Sequence, residues 1–304
     1  MQVPKLVMAG GRPAAACEIT HEGVVAAATP GAGQAPVYAA EALAAGVVTG
    51  SLMEGNVVVP AAVSAALRSV LGQVQPRVKS VTVVVPDAAV RVFVLDFDTL
   101  PARLDEALPV LRFRLRKSVP FDVEHAGISY QVLSEGSSRL ETQWKVLAAV
   151  MPGPVLAEYE AVVRGAGYEP GVVLPSSLAV LSALQSEEAV LAVHLSDGAL
   201  TTSIVLGNDI LLYRTLELPL EEEAVQLDVQ RAVAVAAAFY EDKLHVKPTR
   251  LLYSGVLPVR EFVLMLGDAE LAVGEVVPAP EIGLASAMGR QSVAAVTGAL
   301  VGTN

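Results

Sequence analysis

This 304-residue chain is poor in the residues that carry most protein chemistry. It has one cysteine, Cys17, so no disulfide can form within it, and a reducing compartment is the natural setting. Its four histidines, His21, His125, His194 and His245, show neither the i, i+4 nor the cysteine-paired spacing of a zinc site. Lys and Arg number 21 against 32 Asp and Glu, a net charge of −11. Nucleic acid is thereby disfavoured, because neutralising phosphates needs clustered positive charge. A basic partner segment suits the chain better. Long hydrophobic runs are also missing: 53% of the residues are hydrophobic, yet the longest apolar run is 232–239, far short of the roughly 20 residues that cross a bilayer. The first residues lack the charged-then-apolar layout of a signal peptide, so the chain is expected to stay in the cytoplasm without a membrane span of its own. No P-loop, nucleophile elbow or HExxH is present. His194, Ser196 and Asp197 are near neighbours at a strand end and point different ways, which makes a catalytic triad improbable.

What is present is a regular alternation of strands and helices. Lys5–Ala9, Ala14–Ile19 and Gly23–Ala28 read as a three-strand meander with turns at GGRP and THEG, followed by a Gly/Pro loop over 29–36. Pro60 opens an Ala-rich helix to about Leu71, and Ser80–Val85 is a β-branched run suited to a strand buried on both faces. A strand at 90–95, a helix from Asp98 or Thr99 to about Val119, strands near 128–133 and 143–150, and a helix over 153–166 ended by Gly167 form an α+β unit. A short helix after Pro175 leads to strands at 190–194, 200–206 and 210–215, the last two joined by a turn at Gly207–Asp209. This second meander repeats the first. One long helix over 220–244 and a strand at 250–253 follow.

The corner between the helix ended by Pro120 and the strand after it, Ser118–Leu133, reads SVPFDVEHAGISYQVL. It resembles the corner of the PilM proteins, actin-like components of type IV pilus machines, whose pattern is (Y/S)-(I/V)-P-F-x-(I/L/V)-E-x-x-x-(I/L/V)-x-Y-x-V-L. The resemblance implies an α/β, actin-like fold built of two RNase H-like halves, with an α+β insert and a second half lacking most of subdomain IIB. In that reading, 1–87 completed by 168–187 form the first half, 88–167 the insert, and 188–304 the second half.

The family's phosphate loops fit poorly. Laid without gaps, D-I-G-S-S-S-x-K falls on Met8–Ala15, so the Asp becomes Met8 and the Lys Ala15. D-I-G-x-x-x-T falls on His194–Leu200 with His194 for the Asp, and S-G-G on Ser254, Gly255 and Val256. Residual anion-site candidates are Gly10, Gly11, Arg12, Asp197, Gly198, Ser254 and Gly255. With both metal-binding Asp positions lost, bound ATP and Mg²⁺ are not expected, and the chain reads as a non-enzymatic scaffold. The resemblance implies a partner, the basic N-terminal cytoplasmic tail of a PilN-like inner-membrane protein, held near the insert, with self-association as a further possibility. It thus implies a place at the inner membrane. Candidate partner-binding residues are Arg112, Phe113, Arg116, Lys117 and Phe121, because Phe113 lies opposite the stripe Leu104, Leu108, Leu111, Leu115 and Val119 and is ringed by basic residues. Two alternatives stand beside this reading: a working ATPase or small-molecule kinase of the actin and sugar-kinase superfamily, and a cytoplasmic GspL-like component of type II secretion. The GspL proteins continue into a membrane span, whereas this sequence ends at Asn304 without one.

Overall fold

The structure, a computed structural model, describes residues 12–301 except 32–33, 135–143, 185, 197, 208, 220, 268–270 and 278–292. The strand expected at Lys5–Ala9 lies outside these residues. The chain folds around two five-stranded sheets of the same design. In the first, β1 (Ala15–Ile19), β2 (Gly23–Ala28) and β3 (Val37–Ala42) are antiparallel neighbours, and β4 (Ser80–Val85) and β8 (Glu169–Pro175) continue parallel to β1, giving the order β3-β2-β1-β4-β8. In the second, β9 (Val190–Ser196), β10 (Ala199–Leu206), β11 (Asp209–Glu217), β12 (Arg250–Gly255) and β13 (Ala272–Glu275) take the order β11-β10-β9-β12-β13 with the same directions. Between β4 and β8 sits a smaller antiparallel sheet, β5-β7-β6, made of β5 (Arg91–Phe97), β6 (Gly127–Ser134) and β7 (Trp144–Met151).

Alternation along the central strands determines which layer each side chain joins. Ala15, Cys17 and Ile19 of β1 and Val81, Val83 and Val85 of β4 face α1 (Pro60–Val74) and α3 (Gly153–Gly165). Ala16 and Val84 face the opposite layer, where α4 (Ser176–Ala183) and α7 (Ala294–Ala299) pack. That layer also takes Ala192, Val205, Ile210 and Tyr213 from the second sheet, so α4 and α7 fill the seam between the halves. The outer face of the second sheet is covered by α5 (Glu222–Leu244) and α6 (Val259–Leu266) through Val229, Val233, Ala236, Tyr240, Phe262 and Leu266. Strands buried on both faces need apolar residues at every position, and the Ala- and Val-rich runs supply them.

Several expectations need correction. The third strand of the first sheet comes after the 29–36 loop, at β3, whose Ala and Glu content gives little β signal. Helix α2 spans Leu104–Leu115, and its buried stripe is Ala107, Leu111 and Leu115; Leu104 at its start is 61% exposed. Helix α3 packs in the core of the first half with α1, so the insert closes at Met151 and does not extend to residue 167. Helix α7 joins the seam against α4, so the last part of the chain is not confined to the second half. Helix α6 and strand β13 were not anticipated.

The α4–α7 contact depends on a glycine. A Cβ at Gly298 would sit 1.8 Å from the carbonyl oxygen of Ala179, a distance that backbone cannot relieve without separating the helices. Gly298→Ala is expected to destabilise the protein by about 1–3 kcal/mol, as overpacked cores do, and to lower the melting temperature measured by circular dichroism. An unchanged melting temperature would show that α7 does not seat against α4.

Candidate functional site

The seam opens into a cleft where the β1–β2 turn, the loop after β4, the start of α4, the end of β9 and the end of β12 meet. Glu18, Thr20, Glu22, Pro86, Ser176, His194, Leu195, Ser196, Gly255 and Val256 line it, and the free space is about 30 Å³. That is room for a water or two, against the roughly 300–1,000 Å³ of small-molecule pockets.

A connected set of polar groups is buried beside this cleft. Asp87, 2% exposed in the short 3₁₀ turn after β4, accepts hydrogen bonds from the Ser177 N–H (3.0 Å), the Ser177 hydroxyl (2.8 Å) and the Thr201 hydroxyl (3.0 Å). Since Ser177 and Thr201 give their protons to Asp87, the remaining directions follow: the Tyr213 hydroxyl donates to Ser177 Oγ, and Thr215 Oγ1 donates to Thr201 Oγ1 over 2.9 Å. Burial and then the Asp87 charge push the Tyr213 phenol far above its ordinary range, so it remains a donor. Glu18 accepts from Ser176 Oγ at 2.7 Å. Burial pushes its carboxyl up to about 7; the Ser176 bond opposes this and the Asp87 charge adds to it. His194 shares a 2.8 Å hydrogen bond between Nδ1 and Ser254 Oγ, while its Nε2 is buried without a partner. Its burial lowers the imidazole pKa against the pull of Asp87, so the ring is neutral.

The sequence-level candidates fare unevenly. Met8, Gly10, Gly11 and Asp197 lie outside the described residues. Arg12 is 8% exposed and donates to Ser182 Oγ (3.4 Å) and to the carbonyls of Gly298 (3.3 Å) and Val301 (3.4 Å), so it ties α4 to α7. Gly198 forms the β9–β10 turn with φ +68°, a conformation glycine adopts without strain. Ser254 is bonded to His194, and a Cβ on Gly255 would come within 2.4 Å of the Leu195 carbonyl oxygen, so this glycine serves the close approach of β12 to β9. The hairpin whose turn reaches the cleft is β1–β2, and the next-to-last residue of its first strand, Glu18, lines the cleft, ten positions beyond the ungapped placement at Met8. Sequence reasoning missed Glu18, Asp87, Ser176, Ser177, Thr201 and Tyr213. The available signal was Pro86–Asp87 immediately beyond the carboxyl end of a central parallel strand, where α/β sheets place their functional loops.

On the insert, Phe113 is 77% exposed at the outer face of α2, as its position opposite the buried stripe predicts. The remaining partner candidates divide. Arg112 is half-exposed and holds the corner, donating to the carbonyls of Val123, Glu124 (3.0 Å) and Ala126 (3.5 Å). Arg116 pairs with Glu124 at 2.6 Å, and Phe121 is half-buried against the insert core. Lys117 is exposed.

A second concavity, about 250 Å³, runs between two sheet edges. It is lined by Gly127–Ser129 of β6 and Gly171–Pro175 of β8, the edges of the insert sheet and of the first sheet among the described residues, together with Arg12, Met151, Leu156 and Leu178.

The Glu18 carboxyl carries a pH signature. Folded, it holds its proton up to about 7, whereas the unfolded chain releases it near 4.5. Between those values the native state binds more protons, so Glu18 contributes stability that is fully present below pH 4.5 and is lost as pH rises through 7. Glu18→Gln should gain stability relative to the parent as pH rises from 5 to 8, by at most about 3 kcal/mol. Melting temperatures of both proteins across that range test this; a constant difference would mean that Glu18 titrates normally.

No protein-family model and no curated protein matches the chain. Solved structures do. A structure of the PilM–PilN type IV pilus biogenesis complex superposes with a TM-score of 0.67 at 17% identity, covering 95% of this chain and 97% of that one. The cytoplasmic domain of EpsL, an inner-membrane component of the type II secretion system of Vibrio cholerae, gives 0.51 at 13% identity over 94% and 92%. A Bacteroides thetaiotaomicron protein of actin-like ATPase fold and unknown function gives 0.50 at 8% identity over 88% and 92%. With two sheets of one design, an α+β insert and a hairpin that leads within a few residues into α5, the chain has the actin-like fold, in an arrangement similar to that of PilM.

Proposed function

We propose that this protein is a non-catalytic scaffold of a type IV pilus or related secretion assembly, which holds the extended cytoplasmic tail of an inner-membrane partner of PilN type. The observation that carries the reading is the groove between β6 and β8. Among the described residues β6 and β8 are edge strands of their sheets and line one concavity, and an extended peptide can add to such an edge as a strand. The net charge of −11 draws a basic tail toward the protein. Among the described residues no helix is long and apolar enough to cross a membrane, so attachment to the membrane would come through that partner.

The residues of the cleft do not fit a metal–triphosphate. Neutral His194 and a carboxyl shifted to about 7 at Glu18 replace two ionised aspartates, Val256 replaces a glycine, and about 30 Å³ is too little for the group. This supports a role without ATP turnover. Isothermal titration with Mg·ATP should give a dissociation constant weaker than about 1 mM; micromolar binding would restore the ATPase reading.

A synthetic basic tail of the partner should bind the protein. Ser129→Arg places bulk and positive charge on an exposed position of the groove wall, and is expected to weaken that binding at least tenfold without moving the melting temperature. Unchanged affinity would exclude the groove. Phe113 on α2 and Lys117 just beyond its end lie away from the groove lining, and serve in this reading as a second contact, with the partner or with another copy. Phe113→Ala should therefore leave the melting temperature and tail affinity unchanged, while lowering association measured by sedimentation about tenfold to a hundredfold, the worth of one buried Phe.

A further inference from the structure

The buried polar cluster at the seam has no partner in any chemistry described above, yet its members occupy informative positions. Asp87 follows β4 after Pro86 and leads through Ala88–Val90 into Arg91, the first residue of the insert strand β5. Ser176 and Ser177 follow Pro175, the last residue of β8. The cluster thus holds the roots of both walls of the groove: the insert, through Asp87, and β8, through the two serines. Its other members, Thr201 on β10 and Tyr213 on β11, belong to the second half. At the rim, Arg91 forms an ion pair with Glu217 of β11, linking the insert to the same hairpin.

We propose that Asp87 is a positioning residue: it clamps the second half against the roots of β5 and β8, and so sets the spacing of the groove without touching what the groove holds. This rests on the tail-binding reading for its consequence but not for the clamp. A carboxylate buried to this degree is held by charge-assisted hydrogen bonds, and its donors come from α4 and β10, on opposite sides of the seam. Parting the halves removes the Thr201 and Tyr213 links together, leaving Asp87 and Ser177 to water. With those links closed, the two halves and the insert share one arrangement, fixed by side chains where a ligand would otherwise be needed.

The test is a pair of distances measured by electron spin resonance. Cys17 is buried and its thiol is pushed up to about 12, so it does not take up label, and pairs introduced at Gln73 with Asp242 and at Gln73 with Arg114 report the two halves and the insert. The parent should give one narrow distribution for each pair, with or without Mg·ATP. Asp87→Asn keeps the shape but replaces one accepting oxygen by an NH2 donor, which faces the Thr201 hydroxyl if the other oxygen stays on Ser177; both distributions should broaden, and tail affinity should fall about tenfold. Thr201→Val and Tyr213→Phe each remove one link across the seam, leave Asp87 in place, and should broaden the first pair if Asp87→Asn proves too unstable to label. Narrow distributions in all three variants, or a broad one in the parent, would overturn the clamp. If the parent fails to bind the tail while its distances behave as stated, the groove reading fails and the clamp stands.

Discussion

Asp87 is buried between two halves of a molecule and takes its donors from elements on either side of the seam. A charge withdrawn from water costs several kcal/mol unless its oxygens are satisfied, so the donors must be held where the carboxylate needs them. Much of the layout answers to that demand. Helix α4 begins immediately after β8, so its first N–H groups are directed at the loop after β4; β10 and β11 bring their inward hydroxyls to the same point. The hydroxyls of Ser177, Thr201, Tyr213 and Thr215 then run proton to acceptor without conflict, ending on the one group in the chain of bonds that accepts only.

Close approach of the layers is the second requirement, and small residues supply it. The strands at the seam are rich in alanine, and α4 and α7 meet through Ala179 and Gly298. Arg12 threads its guanidinium into this junction and takes three acceptors there, which turns a residue at the start of the described chain into a tie between the two seam helices. A seam made in this way leaves little internal space, which is why the cleft at its edge is nearly closed while the groove between the two outer sheet edges is not.

The legible parts of the fold were those with one dominant local signal. The β-branched run at β4, the apolar strand runs and Gly-Asn-Asp turn of β9 to β11, and the long helix α5 stand in the sequence much as they do in space. Strand β3 was not legible because VYAAEA has little β preference, and its place comes from pairing with β2. The first hairpin turn was legible as THEG, but the ungapped phosphate-loop pattern fell on the GGRP stretch before it. Gly10–Gly11 looks like a turn, whereas the turn that reaches the cleft, Thr20–Glu22, contains no glycine and is closed by Thr20, whose hydroxyl bonds both backbone groups of Gly23. The buried cluster draws on positions 18, 87, 176, 177, 201 and 213, separations over which no spacing rule operates. Only the fold brings them together.

Electrostatics separates the two concavities by what each could attract. A triphosphate needs positive charge or a metal held by ionised carboxylates. At the cleft, His194 is neutral, Glu18 is partly protonated near neutral pH, and Asp87 has spent its oxygens on hydroxyls and an N–H. The nearby arginines point elsewhere, Arg12 into the α4–α7 junction and Arg91 onto Glu217. An anion approaching a chain of charge −11 finds no compensation there. A basic peptide meets the opposite situation: the long-range field of the acidic chain favours its approach, and the proposed groove is bordered by strands that are edges among the described residues. The same charge that argues against nucleotide therefore favours a cationic tail, and the two readings of the fold diverge on the sign of the ligand.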